Sequence, residues 1–140
     1  MFVKFKKLKY YAKIPTRATA QAACFDLFAA EQYSIPPYTV QRIATGIALE
    51  IPEGYEGQIR GRSGVTLKGA LVQLGTIDAD YRGSCDVMLF NSTPDYFTVK
   101  RGDRVAQLAI REIPDCILLE TKHELASTER GEQGFGSTGE

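Results

Sequence analysis

The chain has 140 residues, a formal net charge of zero, 44% apolar and 24% charged residues. That length suits one domain with or without a tail, and the balance excludes a wholly disordered chain. No apolar run approaches the ~18 residues of a membrane span, and lysines interleave the first apolar residues, so no secretory core forms. Cys24, Cys85 and Cys116 are odd in number and contain no C-x-x-C pair, which argues against a disulfide framework or structural zinc and for a reducing, cytoplasmic setting. Asn91-Ser92-Thr93 matches a glycosylation acceptor, but without a secretory signal it reads as turn polarity.

The first 20 residues carry Lys4, Lys6, Lys7, Lys9, Lys13 and Arg17 with no acid. No groove-reading or base-stacking motif accompanies this charge, so it reads as a solvated outer strand rather than a nucleic-acid contact. The apolar parity changes between Val3/Phe5 and Leu8/Tyr10, which predicts a bulge or strand break near Lys6-Lys7. Ile47, Leu49 and Ile51 alternate and end at a Pro52-Glu53-Gly54 turn. Gly61–Gly69 is the one short segment with helical promise. Cys85–Phe90 and Val105–Ile110 have apolar residues on both parities and read as strands buried on both faces. Turn clusters at Pro36-Pro37, Asn91–Asp95 and Lys100–Asp103 complete the pattern of an all-β sandwich or barrel. After about Leu125 the pattern stops. Residues 1–125 are expected to form the domain, and residues 126–140, with glycines at 131, 134, 136 and 139, a flexible arm.

Few residues offer chemistry. Gly134-x-Gly136-x-x-Gly139 has dinucleotide-turn spacing, but no helix follows to hold a pyrophosphate, so the Rossmann reading fails; no P-loop pattern exists. The arm reads either as a tail or as a phosphate clamp built on Arg130, Ser137 and Thr138, with Phe135 covering a flat ring. Arg62-Ser63-Gly64 offers a fork, a hydroxyl and a free amide to an anion. In Gly75–Gly83, an extended chain would set Asp78 and Asp80 on one face beside Tyr81, as a general base or metal site; the alternative is a hairpin with Asp–Arg turn pairing. Gln107 interrupts a buried strand and needs a partner. His123, the single histidine, sits among acids and reads as solvated.

Five segments in order resemble the homotrimeric dUTPase family: Ala23–Ala30, Gly61–Gly64, Gly75–Gly83, Gly102–Leu108 and Arg130–Gly139. The resemblance spans residues 23 to 139 and implies a jelly-roll-like β-barrel, assembled as a trimer whose active sites are shared between subunits. It implies Mg²⁺-dependent hydrolysis of dUTP to dUMP and pyrophosphate, which keeps uracil out of DNA, inside a cell or a phage- or virus-infected host, with no nucleic-acid or membrane partner. By position, Asp78 would be the base that activates water against the α-phosphorus. Tyr81 would pack under the deoxyribose and exclude a 2′-hydroxyl. The backbone at Thr76, Ile77, Asp78 and near Asp86 would bind sugar and uracil; Arg62, Ser63, Gly64 and Gln107 would hold phosphates. Arg130, Ser137 and Thr138 would take the γ-phosphate, Phe135 would stack on uracil, and Gly136 would also contact substrate. Asp26 would support the metal through water, the cation itself riding on the phosphates, and Asp103 would be structural.

The chain departs from the family pattern at Cys24 and Gln133, which replace usual glycines, and at Gly61, which replaces a frequent proline. Val72 stands where bacterial relatives often carry an asparagine, so main-chain recognition of uracil is expected. A dCTP deaminase-like enzyme of the same fold would need a glutamate base and an arginine after Gly83, where the chain reads Ser84-Cys85-Asp86. A nucleotide-sensing or partner-binding module is the reading from another class.

Overall fold

The computed structural model describes residues 1–134; the expected contacts of Phe135, Gly136, Ser137 and Thr138 lie outside the described residues. Among the described residues there are eleven strands and one turn of helix: β1 Lys4–Lys7, β2 Phe25–Phe28, β3 Tyr33–Ile35, β4 Val40–Ile43, β5 Ile47–Glu50, β6 Tyr55–Arg60, α1 Ser63–Thr66, β7 Ala70–Val72, β8 Gly75–Ile77, β9 Val87–Asn91, β10 Phe97–Val99 and β11 Arg104–Glu112. All strand pairs are antiparallel.

The pairing is nested. β2 lies on β11, β3 on β10 and β4 on β9, so the stretch from β2 to β4 and the returning stretch from β9 to β11 form one long antiparallel ribbon. Winding such a ribbon on itself is what makes a jelly roll. Its outer members extend into two larger sheets, ordered β2-β11-β6-β8 and β4-β9-β7, with β1 added to β5. Leu27, Ile35, Ile43, Ile47, Val87, Leu89 and Val99 fill the space between the sheets, each at most 2% exposed. The fold is the expected all-β jelly roll, and the expected turn clusters fall between strands, except that Asn91 of the Asn91–Asp95 cluster is the last residue of β9.

Sequence period explains where strands lie better than which faces are covered. β11 is buried on both parities, as expected: Val105, Ala106, Leu108 and Ala109 are all enclosed. The Cys85–Phe90 expectation needs correction. Val87 and Leu89 face the core, while Met88 is 44% exposed, because β9 has the core on only one side of its three-stranded sheet. The parity change near Lys6-Lys7 is a strand break. β1 ends at Lys7, and the amides of Leu8 and Lys9 both turn onto the Gly46 carbonyl. Gly46 has φ +72°, and a Cβ there would meet those of Ala12 and Ala30, so this crossing requires glycine.

Asn91 is fully buried, and its amide nitrogen donates to the carbonyls of Ile35, Pro36 and Asp95 while its oxygen accepts from the Thr93 amide and hydroxyl. The side chain ties the β9 exit to both neighbouring turns, and in the folded chain it is closed to a glycan. Asn91→Ala removes a donor from three carbonyls; those of Pro36 and Asp95 keep the Thr39 and Thr93 hydroxyls, while that of Ile35 loses its side-chain donor, at ~1–3 kcal/mol for an unsatisfied group, and the lost side-chain volume adds to the cost. A loss of about 3 kcal/mol in denaturant unfolding is expected; a loss under ~1 kcal/mol would show that the network is not needed.

Candidate active site

Asp26 is the centre of the charged cleft. It sits on β2, its amide donates to the Thr16 carbonyl at 2.8 Å, and its register partner on β11 is Gln107. With both flanks pinned, the carboxylate stands between two guanidinium groups: Arg62 Nε at 3.0 Å from Oδ1 and Arg104 Nη1 at 3.3 Å from Oδ2. Arg62 Nη1 also donates to the Arg104 carbonyl at 3.2 Å. The buried acid thus fixes the direction of a cation that otherwise has many rotamers.

Beside it the chain leaves β6 and makes the turn of helix α1, with Arg62 in extended geometry as its N-cap. Ser63 and Gly64 are exposed at this turn, and first-turn amides have no partner within a helix. Gln107 finds its partner in the Gly61 carbonyl at 2.7 Å, which holds the entry to that turn against β11. Cys24, Asp26, Arg62, Ser63, Gly64 and Gln107 together line a cleft of about 270 Å³. Hydroxyl, amide and guanidinium converge there, a donor set suited to an anion with several oxygens.

The second cluster lies on the loop after β8. Asp78 opens a tight turn in which the Tyr81 amide donates to its carbonyl at 3.1 Å, with Ala79 and Asp80 between. The extended arrangement that would align Asp78 with Asp80 is therefore absent. The expected Asp–Arg pairing is also absent: Arg82 donates to the Ala79 and Tyr81 carbonyls instead. Asp78 is exposed and, among the described residues, makes no ion pair. The Tyr81 ring lies on Gly83, where a Cβ would run into its hydroxyl and Cζ, and its hydroxyl donates to the Ser84 carbonyl at 3.2 Å. Gly83 is thus required by close approach of the ring.

Asp86 has a clear structural place. Its carboxylate accepts the Ser84 hydroxyl at 2.6 Å and pairs with Arg42 Nε at 3.4 Å. Next to it Cys85 is buried, and its carbonyl accepts the Thr45 hydroxyl. Burial, with the Asp86 charge beside it, pushes the Cys85 thiol up to about 12, so it stays protonated and unreactive. Val72 pairs with Leu89 and is half-buried, close to Gly61.

The two clusters do not meet in one chain. Among the described residues the anion cleft is lined by neither Asp78 nor Tyr81. Asp26, Gln107 and Arg60 share a row across β2, β11 and β6, while Asp78 follows directly on Ile77, the last residue of β8, whose partner on β6 is Gly57, so it lies about four residues farther along than Arg60 and one strand beyond β6. Strand spacings of about 4.8 Å and rises of about 3.3 Å then put Asp78 roughly 20 Å from Asp26. Arg130 lies in an exposed turn where its Nε donates to the Gln133 carbonyl at 3.0 Å.

Sequence reasoning missed Arg104 as the second cation paired with Asp26. In Arg101-Gly102-Asp103-Arg104 two cations flank a turn, and nothing local separates the one that reaches Asp26 from the one that stacks on Tyr11. Asp103 caps the same turn by accepting the Lys100 amide at 2.9 Å, in keeping with its expected structural role.

Among the described residues no His, Cys, Asp and Glu cluster of three or more is placed to hold a metal, and both Asp26 oxygens are engaged by guanidinium groups. This donor set does not fit a cage made by the protein alone, and a divalent cation here would need oxygen ligands from a bound anion.

A dUTPase family model matches residues 10–139. A deoxyuridine 5′-triphosphate nucleotidohydrolase of Nautilia profundicola is 45% identical over 142 residues, 99% of either chain. The enzyme of the same name from Monkeypox virus is 47% identical over 139 residues, covering 98% of this chain and 90% of its own. Among solved structures, a Staphylococcus bacteriophage 80alpha dUTPase mutant with dUpNHpp superposes with TM-score 0.92 at 29% identity, over 99% of this chain and 98% of that one. A phage phi11 dUTPase mutant, described for its structural Mg(II) ion, reaches TM-score 0.82 at 26% identity, over 88% and 98%. With a family model matching residues 10–139 and relatives 45–47% identical over nearly its whole length, the chain belongs to the dUTPase family.

Proposed function

We propose that this dUTP nucleotidohydrolase works by in-line attack of a water, activated by Asp78, on the α-phosphorus of dUTP. The carboxylate takes the water proton as the new P–O bond forms and the bond to the β-phosphate bridging oxygen breaks, leaving dUMP and pyrophosphate. A carboxylate is a weak base in water; its usefulness comes from close placement against one solvent molecule. The observation that carries this reading is the exposed Asp78, without an ion pair among the described residues, at the start of the turn that Tyr81 closes.

Arg62, Ser63, Gly64 and Gln107 hold the triphosphate in the arginine-clamped cleft, and Arg130, Ser137 and Thr138 take its far end. Tyr81 packs beneath the deoxyribose, the backbone of Thr76–Asp78 and near Asp86 contacts sugar and base, and Phe135 covers the uracil with Gly136 at the same contact. Asp26 would support, through water, a Mg²⁺ ion brought in on the phosphates, and that ion when bound would help neutralise the charge developing on the leaving pyrophosphate.

The active site is composite, drawn from more than one copy in a homotrimer. Two observations support this: among the described residues neither Asp78 nor Tyr81 lines the anion cleft of the same chain, and Ile117, Leu118 and Leu119 are 82–97% exposed in the single chain. Such a run is covered in an assembled protein. The free thiols Cys24, Cys85 and Cys116 suit a reducing cell interior.

Incubation with Mg²⁺ and dUTP, dCTP or UTP tests the reaction. Pyrophosphate is expected from dUTP; ammonia from dCTP would overturn the assignment, as would binding without turnover. Removing residues 130–140 is expected to leave the assembly intact by sedimentation and to lower kcat at least ~100-fold, since a closing arm both orients the phosphates and excludes water. Full rate in the truncated protein would remove the arm from catalysis.

A further inference from the structure

Tyr81 is 47% exposed. One face of its ring rests on Gly83, and a half-exposed phenol of this kind is free to swing unless something polar holds its end. Rejecting a sugar that merely adds a hydroxyl requires a wall that does not yield. The Ser84 carbonyl is what holds the Tyr81 hydroxyl.

That carbonyl is itself fixed from several sides. Ser84 bridges to Ala48, and the next amide, of Cys85, donates to the Ile47 carbonyl at 2.8 Å. The Ser84 carbonyl accepts a second hydrogen bond, from the Asp86 amide at 3.2 Å. The Ser84 hydroxyl is turned back onto Asp86 Oδ1 at 2.6 Å, and Asp86 Oδ2 faces Arg42 on the neighbouring strand. Asp86 is 14% exposed at its side chain, whereas Arg42 is 71% exposed, so the bond to Ser84 outweighs the screened ion pair.

The geometry points to Asp86 as a positioning residue for sugar discrimination: its side chain locks Ser84, Ser84 holds the Tyr81 hydroxyl, and Tyr81 keeps its ring where a 2′-hydroxyl would have to fit. The inference rests on the reading of Tyr81 as the residue beneath the deoxyribose.

The test is the ratio of kcat/KM for dUTP to kcat/KM for UTP, measured with the assembled enzyme. Asp86→Ala is expected to lower that ratio about tenfold, and Ser84→Ala to lower it equally. The double variant should lose no more than either single one, because both remove the same bond. Asp86→Asn should restore most of the ratio, since its amide oxygen still accepts the Ser84 hydroxyl; a merely structural role would not show that pattern. Tyr81→Ala serves as the reference. If it lowers the ratio while Asp86→Ala and Ser84→Ala do not, the relay is overturned and the sugar reading stands. Additive losses in the double variant overturn the relay as well. If none of the variants changes the ratio, the sugar reading fails and takes the relay with it.

Discussion

Asp78→Asn is expected to lower kcat for dUTP at least ~100-fold while nucleotide still binds. The change preserves shape and removes the basic oxygen, so it isolates proton transfer from steric effects. Positioned general bases contribute about 10²–10⁴-fold. Two features make a folding defect a poor explanation for such a loss. Asp78 is exposed, and the local turn uses its carbonyl, bonded to the Tyr81 amide at 3.1 Å. Binding of an imido analogue such as dUpNHpp, followed by calorimetry, should therefore stay within a few-fold of the parent. A variant that turns over dUTP within tenfold of the parent would remove Asp78 as the base and leave it a positioning role.

The sequence shows such features unevenly because hydrophobic period reports on one strand at a time. Alternation of Ile47, Leu49 and Ile51 marks β5, and proline and glycine mark its end, since both signals are local. The nested pairing is invisible to that reasoning: Asp26 meets Arg104 across 78 residues, and only the ribbon's register brings them together. The same limit explains Met88, whose apolar side chain suits a second buried face that a single chain does not supply. Gln107 was legible as a residue in need of a partner, but its partner, a carbonyl 46 residues away, was not. The Asp78–Asp80 spacing misleads for a different reason. A two-residue separation puts side chains on one face only if the backbone is extended, and here Ala79-Asp80 turns. The side-chain role of Asp86 carries no local signal in the sequence, because its partners, Arg42 and Ser84, come from another strand and a loop.

Asp26→Asn sets two effects against each other. The amide oxygen can still accept from Arg62 Nε, but the amide nitrogen then faces Arg104 Nη1, donor against donor. Hydrogen bonds to charged groups are worth ~1.5–3 kcal/mol; the Arg104 side chain is 52% exposed and recovers part of this from water, whereas Arg62 at 24% recovers less. A stability loss of about 2 kcal/mol is expected in denaturant unfolding. Removing the negative charge also makes the cleft more attractive to a triphosphate, by up to ~3 kcal/mol for a unit charge at 6 Å and an effective dielectric of 20, less with salt. In binding, that gain offsets the disordered arginines, so KM should move less than about threefold. In turnover it does not, because the charge that develops on the leaving pyrophosphate needs Arg62 in one place, and a misplaced group costs orders of magnitude. The fall should therefore appear in kcat, about tenfold or more, with a higher Mg²⁺ concentration needed for half-maximal rate. If kcat is retained and KM drops tenfold, Asp26 acts only as a repulsive charge beneath the phosphates, and the clamp it forms with Arg62 and Arg104 has no part in the reaction.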